Sequence, residues 1–144
     1  MNYADSGFLC SLYTPDAHSA KAAAVMKRQT ESLAFVWLHQ LEFRNALRLR
    51  VFRKEITAKQ RDASLNLLLA DLAGEWFEHA SPPIAEVMVE AERLSTAYSE
   101  KIGTRSLDIL HVAAALVLGA PVFLTFEKRQ SALAKAAGLK VPLP

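Results

Sequence analysis

Short apolar runs alternate along this chain with longer segments in which apolar residues recur every three or four positions. The short runs are typical of buried strands, and the longer periodic segments are typical of helices that bury one face. The predicted strands lie at residues 2–4, 33–37, 75–80 (the weakest pattern), 122–124 and, as an edge strand, 139–141. The predicted helices cover residues 6–13, 14–27, 38–52, 57–73, 84–99, 107–118 and 127–137.

Polar residues and glycines predict where several helices begin and end. Thr57 and Gln60 have the spacing of a capping box, and Gly74 follows the predicted end of that helix. Ser106 and Thr125 are the predicted N-caps of the last two helices.

Strands that alternate with helices predict parallel βαβ units, with helices covering both faces of the sheet. The 144 residues are the size of one domain, and 51% of them are hydrophobic, so we expect residues 1–144 to form a single α/β domain. In such a sheet, ligands bind beyond the carboxyl ends of the strands where the strand order reverses.

Composition excludes several classes of site. Cys10 is the only cysteine, which rules out an intrachain disulfide and a cysteine-based zinc site. The N-terminus lacks the pattern of a secretory signal, and no apolar run is long enough to span a membrane. We therefore expect a soluble, cytoplasmic protein. The formal net charge of +2 does not by itself demand a nucleic-acid partner.

Four acidic residues lie near the ends of predicted strands or the beginnings of predicted helices. They are Asp5, Glu42, Asp108 and Glu127. A carboxylate with apolar neighbours is costly to bury unless a partner compensates its charge. Several such carboxylates at one point require a hard divalent cation, Mg²⁺ or Mn²⁺.

Each acid alone also has a simpler explanation. Asp5 has the position of a helix cap, Glu42 that of a helix-surface acid, and Asp108 and Glu127 are first-turn acids that the helix dipole favours. The joint placement of all four favours a shared site.

Other motifs support competing chemistry less well. His39 and Glu42 have the i, i+3 spacing of a transition-metal pair, but the chain has no second such pair. His111 follows Asp108 by one turn in an alanine-rich stretch, which favours a packed histidine in the core or beside the site over a general base. No serine has a nucleophile-elbow context, and no glycine-rich loop is present to bind phosphate.

The segment from Gly103 to Ala115, followed by residues 124–130, resembles the C-terminal half of a PIN-domain ribonuclease, and in particular the VapC toxins of bacterial type II toxin–antitoxin pairs. The segments Tyr3-Ala4-Asp5-Ser6 and Glu42-Phe43-Arg44-Asn45-Ala46-Leu47 are similar to the other two motifs of that family. The resemblance spans the whole chain, and the order and spacing of the motifs make it specific.

The resemblance implies a three-layer α/β/α fold around a central, mostly parallel sheet. It implies a metal-dependent endoribonuclease, a hydrolase that acts as a toxin and is neutralised by a cognate antitoxin, and it implies a homodimer. Asp5, Glu42 and Asp108 match the metal-binding acids of the family. Glu127 stands where the family usually has Asp, so direct coordination by this longer side chain and action through a metal-bound water both remain open.

Polar residues beside the acids match further family positions. Ser6 and Thr125 match positions next to the carboxylates, and Asn45 matches a position that orients the Glu42 side chain. Arg44 and Arg48 share a helix face, and we expect them to contact RNA phosphates near the metal, with a solvated helix face as the alternative. A non-catalytic PIN-type module that binds RNA or protein through a degenerate acidic site is the second hypothesis for the chain.

Overall fold

The computed structural model describes residues 1–143 as short strands that alternate with helices. The strands are β1 (Tyr3–Ala4), β2 (Leu33–Phe35), β3 (Phe77–His79) and β4 (Phe123–Leu124). The helices are α1 (Ser6–Tyr13), α2 (Ser19–Met26), α3 (Trp37–Phe52), α4 (Ala58–Leu72), α5 (Ile84–Leu94), α6 (Glu100–Ile102), α7 (Ser106–Val117) and α8 (Lys128–Ala136), with a π-helical segment, Ser95–Ser99, between α5 and α6.

The strands pair in parallel, β1 with β4 and β2 with β3. A single parallel bridge between Asn2 and Leu33 joins the two pairs, which gives the order β3-β2-β1-β4. The predicted edge strand at 139–141 is reduced to one bridge between Val122 and Lys140. Because the chain adds β2 and β3 on one side of β1 and β4 on the other, the order reverses between β1 and β4, where an open parallel sheet binds its ligands.

Helices cover both faces of the sheet because successive strand side chains point to opposite sides. Tyr3 and Phe123 belong to a core that includes buried residues of α5, α7 and α8. Ala4 and Leu124 belong to a second core with residues of α1, α2, α3 and α4. The predicted three-layer α/β/α class with a parallel sheet is confirmed.

Several boundaries agree with the sequence. Helix α1 covers the predicted residues, and the capping box of α4 is present, with the Gln60 backbone N–H donating to Thr57 Oγ1 at 3.1 Å and the Thr57 N–H donating to Gln60 Oε1 at 2.8 Å. The helix predicted at 84–99 continues through its π-helical segment to α6, and Gly103 ends it at a φ of 72°, a conformation that costs glycine little.

Other boundaries differ, for local reasons. The second strand ends at Phe35, because the Val36 N–H donates to His39 Nδ1 at 3.1 Å and α3 begins at Trp37. Helix α2 begins at Ser19, because residues 14–18 form a hydrogen-bonded turn in which the Asp16 N–H donates to Ser19 Oγ at 2.8 Å.

The predicted N-caps of the last two long helices were wrong. Arg105 precedes α7, so Ser106 is the first helical residue, and Glu127 caps α8 in place of Thr125. On α5, Val87 is buried, whereas Met88 is 54% exposed. No helix within residues 1–143 combines the length and apolar character that crossing a bilayer requires.

Candidate active site

Asp5 lies directly after β1 and is held by hydrogen bonds from two directions. The Phe8 backbone N–H donates to Asp5 Oδ1 at 2.6 Å, which makes Asp5 the N-cap of α1, and the Thr125 hydroxyl donates to Oδ2 at 2.6 Å. Burial raises the pKa of Asp5 to about 6, against the opposing effect of these two hydrogen bonds. Asp5 is therefore both a helix cap and a buried carboxylate whose charge is poorly compensated.

Glu42 of α3 is held by His111 of α7. His111 Nε2 lies 2.5 Å from Glu42 Oε2, the Tyr3 hydroxyl lies 2.9 Å from His111 Nδ1, and the Ser6 hydroxyl donates to Glu42 Oε2 at 3.2 Å. Burial acts to raise the pKa of Glu42, but the hydrogen bond and charge of His111, with the Ser6 hydrogen bond, outweigh it, and the net pKa is lowered. His111 thus fixes the Glu42 carboxylate.

Asn45 does not make the contact that the sequence analysis expected. It is exposed, and within residues 1–143 no hydrogen bond joins its side chain to Glu42. Residues three positions apart lie within about 60° of each other around a helix, yet Asn45 is exposed to solvent whereas Glu42 is partly buried. Ser6 and His111 hold the Glu42 carboxylate instead.

Asp108, in the first turn of α7, is paired with Arg105. Arg105 Nε donates to Asp108 Oδ2 at 2.9 Å and Nη2 donates to Oδ1 at 3.4 Å. The Asp108 hydrogen bonds and charge raise the pKa of Arg105, and the charges of Glu127 and Glu42 add to this effect. Sequence reasoning did not single out Arg105 as a site residue, although its i, i+3 spacing from Asp108 is a recognisable signal.

Glu127 follows β4 and caps α8. The Gln130 backbone N–H donates to Glu127 Oε2 at 2.6 Å, and the Glu127 N–H donates to Thr125 Oγ1 at 3.0 Å. Gln130 also reaches α7, where its Nε2 donates to the Asp108 carbonyl at 3.3 Å. Thr125 therefore connects Asp5 to the beginning of α8, which links the ends of the two central strands.

All four predicted acids line one pocket of about 140 Å³. Asp5 and Glu127 come from the carboxyl ends of β1 and β4, Glu42 from α3 and Asp108 from α7. The remaining lining residues are Ser6, Gly7, Arg105, His111 and Gln130. The structure thus brings together four segments that are far apart in sequence, at the place where the strand order reverses.

The four carboxylates of this pocket are the kind of ligand that suits a hard divalent cation. Within residues 1–143, however, no three His, Cys, Asp or Glu side chains already stand in the arrangement of a metal site. Each carboxylate is engaged by a partner of its own, and two of these partners, Arg105 and His111, can supply positive charge. The residues fit such a cation chemically, provided that Asp108 exchanges Arg105 for it.

The alternative metal pair of His39 and Glu42 is excluded by the surroundings of His39. This residue is buried, its Nδ1 accepts from the Val36 N–H, and its Nε2 donates to the Ala4 carbonyl at 2.8 Å. Burial lowers the pKa of His39 to about 3. With both ring nitrogens occupied, His39 anchors α3 to β1 and is not a ligand.

Arg44 and Arg48 lie outside the acid pocket. With Arg61 of α4, they line a separate cleft of about 280 Å³, here named the arginine cleft. Glu42 and Arg44 are two positions apart, which corresponds to a rotation of about 200°, so their side chains leave α3 on nearly opposite sides. The expectation that Arg44 and Arg48 lie beside the metal-binding acids is therefore corrected.

A third cavity is apolar and larger, at about 360 Å³. It lies among α1, α2, α4 and the residue before β3, and is here named the apolar groove. Trp76 lines it and is 49% exposed. The other lining residues are Leu12, Tyr13, Ala23, Met26, Lys27, Leu67 and Asp71.

No protein-family model matches the sequence, and no curated protein matches it either. Solved structures do match. VapC20 of Mycobacterium tuberculosis, described as a sarcin-ricin loop cleaving toxin, has a TM-score of 0.73 and 16% identity, with 100% of each chain covered. VapBC2 from Rickettsia felis, bound to a DNA fragment from its promoter, has a TM-score of 0.65 and 16% identity, with 99% of this chain and 98% of that chain covered.

FitAcB from Neisseria gonorrhoeae has a TM-score of 0.65 and 15% identity, with 98% of this chain and 96% of that chain covered. At such identities the likeness establishes the fold. The chain has the PIN-like fold of these VapC-type proteins, as the sequence resemblance implied.

Proposed function

We propose that this chain, which has the PIN-like fold of VapC toxins, is a metal-dependent endoribonuclease toxin that cleaves RNA phosphodiester bonds and is neutralised by a cognate antitoxin. The observation that carries the proposal is the pocket where Asp5, Glu42, Asp108 and Glu127 meet. Asp5 is buried there, and within residues 1–143 no cationic side chain pairs with it. The fold likeness to a toxin that cleaves the sarcin-ricin loop supports RNA as the substrate.

In this proposal Asp5, Glu42 and Asp108 hold Mg²⁺ or Mn²⁺. When bound, the cation supplies a nucleophilic water of lowered pKa and offsets the negative charge of the scissile phosphate. The protein contributes the orientation of the carboxylates. Thr125 and the Phe8 N–H fix Asp5, and His111 and Ser6 fix Glu42. Such partners restrict each carboxylate to one geometry, which strengthens the site.

Glu127 acts at the edge of this site. Its Oε2 is used to cap α8, so it contributes through hydrogen bonds to water rather than as a direct ligand. The longer side chain, compared with the Asp usual in the family, makes this capping contact while the carboxylate still lines the pocket.

RNA phosphates bind the arginine cleft in this proposal. Arg44 and Arg48 are exposed and, within residues 1–143, form no ion pair, whereas Arg61 pairs with Asp62 at 2.8 Å. The cleft and the acid pocket flank α3, whose diameter with side chains is about 10–12 Å, so one RNA segment that crosses this helix contacts both.

The apolar groove fits the antitoxin part of the proposal. An amphipathic segment that buries its apolar side against Leu12, Leu67 and Trp76 is the kind of partner such a surface binds. A basic side chain from the same partner that entered the acid pocket would compete with the cation for the carboxylates. Calorimetric titration of the antitoxin at low and high Mg²⁺ tests this, because competition weakens binding at high Mg²⁺ and identical affinities contradict it.

The proposed homodimer is supported by exposed apolar residues on α5 and α7. Ile84, Met88, Val89 and Leu107 lie there with large exposed fractions. An unpartnered apolar surface of this kind favours self-association. Sedimentation velocity of wild type and Met88→Glu tests the interface, with Leu67→Glu in the apolar groove as the control that leaves the dimer intact.

The experiment that tests the proposed function is the incubation of purified protein with total RNA, followed by mapping of the new RNA ends, with Mg²⁺ and with EDTA. Cleavage at defined sites only in Mg²⁺ supports the proposal. Binding without cleavage supports the second candidate, a non-catalytic binding module. The observation that favours this second candidate is that Arg105 and the cap of α8 already occupy Asp108 and Glu127.

A further inference from the structure

We propose that Arg105 is an exchangeable counter-cation of Asp108, which pairs with it in the metal-free protein and binds an RNA phosphate once a divalent cation takes its place. The inference rests on the proposed function and assigns a second role within the same pocket. Arg105 precedes α7 in an extended conformation, three residues before Asp108, and its side chain lines the acid pocket.

Arg105 has N–H donors that its ion pair with Asp108 does not use. A guanidinium carries N–H groups on three nitrogens in a rigid fork. Two of these nitrogens, Nε and Nη2, donate to Asp108, and within residues 1–143 the Asp108 carboxylate oxygens are the only acceptors of the Arg105 side chain. The Arg105 side chain is 74% exposed, whereas that of Asp108 is 11% exposed. The outer side of the guanidinium thus faces solvent at the mouth of the pocket, where a phosphate would approach.

The ion pair is weak enough to exchange. A pair with one partner so exposed contributes on the order of 0–1 kcal/mol, because water screens the charges and the long side chain loses conformational freedom. A divalent cation held by Asp5, Glu42 and Asp108 would interact with three carboxylates, whereas Arg105 contacts Asp108 alone. Asp108 therefore gains more from the cation than from the guanidinium.

The released guanidinium stays at the site because the backbone of Arg105 precedes the first turn of α7. Its fork geometry matches two phosphate oxygens, and the pair that results is charge-assisted. The same group thus reduces carboxylate repulsion in the free protein and binds substrate in the loaded one.

The chain offers a matched control on another helix. Arg93 pairs with Glu90 on α5 at the same i, i+3 spacing, with its Nε donating to Oε2 at 2.9 Å and its Nη2 to Oε1 at 2.5 Å. Arg93 does not line the acid pocket. Arg93→Ala therefore removes an exposed bidentate ion pair without changing the charge at the site.

The test compares Mn²⁺ binding by the RNA-free proteins with RNA cleavage. In calorimetric titration we expect Arg105→Ala to bind Mn²⁺ about fivefold more tightly than wild type, as the loss of a pair worth up to about 1 kcal/mol implies. Arg93→Ala should match wild type. In steady-state cleavage with Mn²⁺, Arg105→Ala should show a raised KM for RNA, and Arg105→Lys should recover part of that loss.

Tighter Mn²⁺ binding together with weaker RNA binding is the signature of an exchangeable cation. Unchanged or weaker Mn²⁺ binding in Arg105→Ala would overturn the proposal, because the residue would then have no role or only brace the pocket. If wild type binds Mn²⁺ and cleaves RNA while Arg105→Ala behaves like it, only the role of Arg105 fails. If wild type neither binds Mn²⁺ nor cleaves RNA, the proposed function fails with it.

Discussion

Two charged cavities flank the same helix, α3, and they are built in opposite ways. The acid pocket collects side chains from four distant segments, and its carboxylates have individual partners that hold them in place. The arginine cleft is formed by two consecutive helices, α3 and α4, and two of its three arginines are exposed and, within residues 1–143, unpaired. The acid pocket therefore depends on the whole fold, whereas the arginine cleft depends only on the packing of α3 against α4.

The two cavities differ in the free energy that their charged groups cost the folded protein. Burying Asp5 near Glu42 costs free energy that hydrogen bonds offset only in part, as the raised pKa of Asp5 indicates. Exposed arginine side chains keep their hydration, so their charges cost the folded protein almost no free energy. Substitutions in the acid pocket should therefore change both activity and stability, whereas substitutions in the arginine cleft should change RNA binding alone.

The largest effect is expected for the central acids. Asp108→Asn and Asp5→Asn should each lower Mg²⁺-dependent RNA cleavage more than about 100-fold, because each removes a charged ligand of the cation. Both variants should stay folded, since Asn at position 5 still caps α1. Cleavage rates measured beside thermal unfolding separate the two effects, and full activity in both variants would remove the acids from the site.

The next effect is on stability and its pH dependence. The folded-state pKa of Asp5, about 6, lies above the ordinary Asp value, so the folded protein binds this proton more tightly than the unfolded chain. This contribution to stability is fully present below about pH 4 and is lost as pH rises through 6. In EDTA at pH 7.5, Asp5→Asn should therefore be more stable than wild type by up to about 2–3 kcal/mol.

Chemical denaturation of both proteins between pH 4 and 8 measures this difference. It should shrink as pH falls toward 4 and approach zero only below the ordinary pKa of Asp, where Asp5 is protonated in the folded and the unfolded state. A difference that does not vary with pH would mean that the Asp5 carboxylate carries no burial penalty.

A smaller effect is expected at Glu127, which we place at the edge of the site. Glu127→Asp should retain or raise cleavage, and Glu127→Gln should lose less activity than Asp108→Asn, because the α8 cap survives in both variants. RNA cleavage rates of the three variants, measured at the same Mg²⁺ concentration, test this expectation. A Gln variant as inactive as Asp108→Asn would make Glu127 a direct ligand.

The smallest effect is expected in the arginine cleft. Arg44→Ala combined with Arg48→Ala should weaken RNA binding and lower the slope of log affinity against log salt by roughly 1.4, the value for two single-strand phosphate contacts. Fluorescence anisotropy across a salt series measures the slope, with Arg93→Ala as the control. An unchanged slope would make Arg44 and Arg48 part of a solvated helix surface.

More of the acid pocket than of the arginine cleft could be predicted from the sequence. Asp5 and Glu127 follow strands, and parallel strands end at one edge, so their convergence could be predicted from strand order alone. The partnership of His111 with Glu42 could not, because it depends on packing between α3 and α7, whereas that of Arg105 with Asp108 has a signal in its i, i+3 spacing.

The error at Arg44 had a different origin. Nearness in sequence to Glu42 does not make Arg44 near in space, because a helix turns by about 100° per residue. Likewise, Met88 fits the apolar stripe of α5 but is exposed, because periodicity shows which residues share a face without showing how wide the covered part of that face is. In both cases the position of the neighbouring element was the missing information.

The central claim is that the acid pocket binds a divalent cation that RNA cleavage requires. The most direct measurement is RNA cleavage by wild-type protein in EDTA and during stepwise return of Mn²⁺, with calorimetric Mn²⁺ titration of wild type and Asp108→Asn. We expect no cleavage in EDTA, recovery that follows Mn²⁺ occupancy, and much weaker Mn²⁺ binding in the variant. Cleavage that persists in EDTA, or equal Mn²⁺ binding by the two proteins, would contradict it.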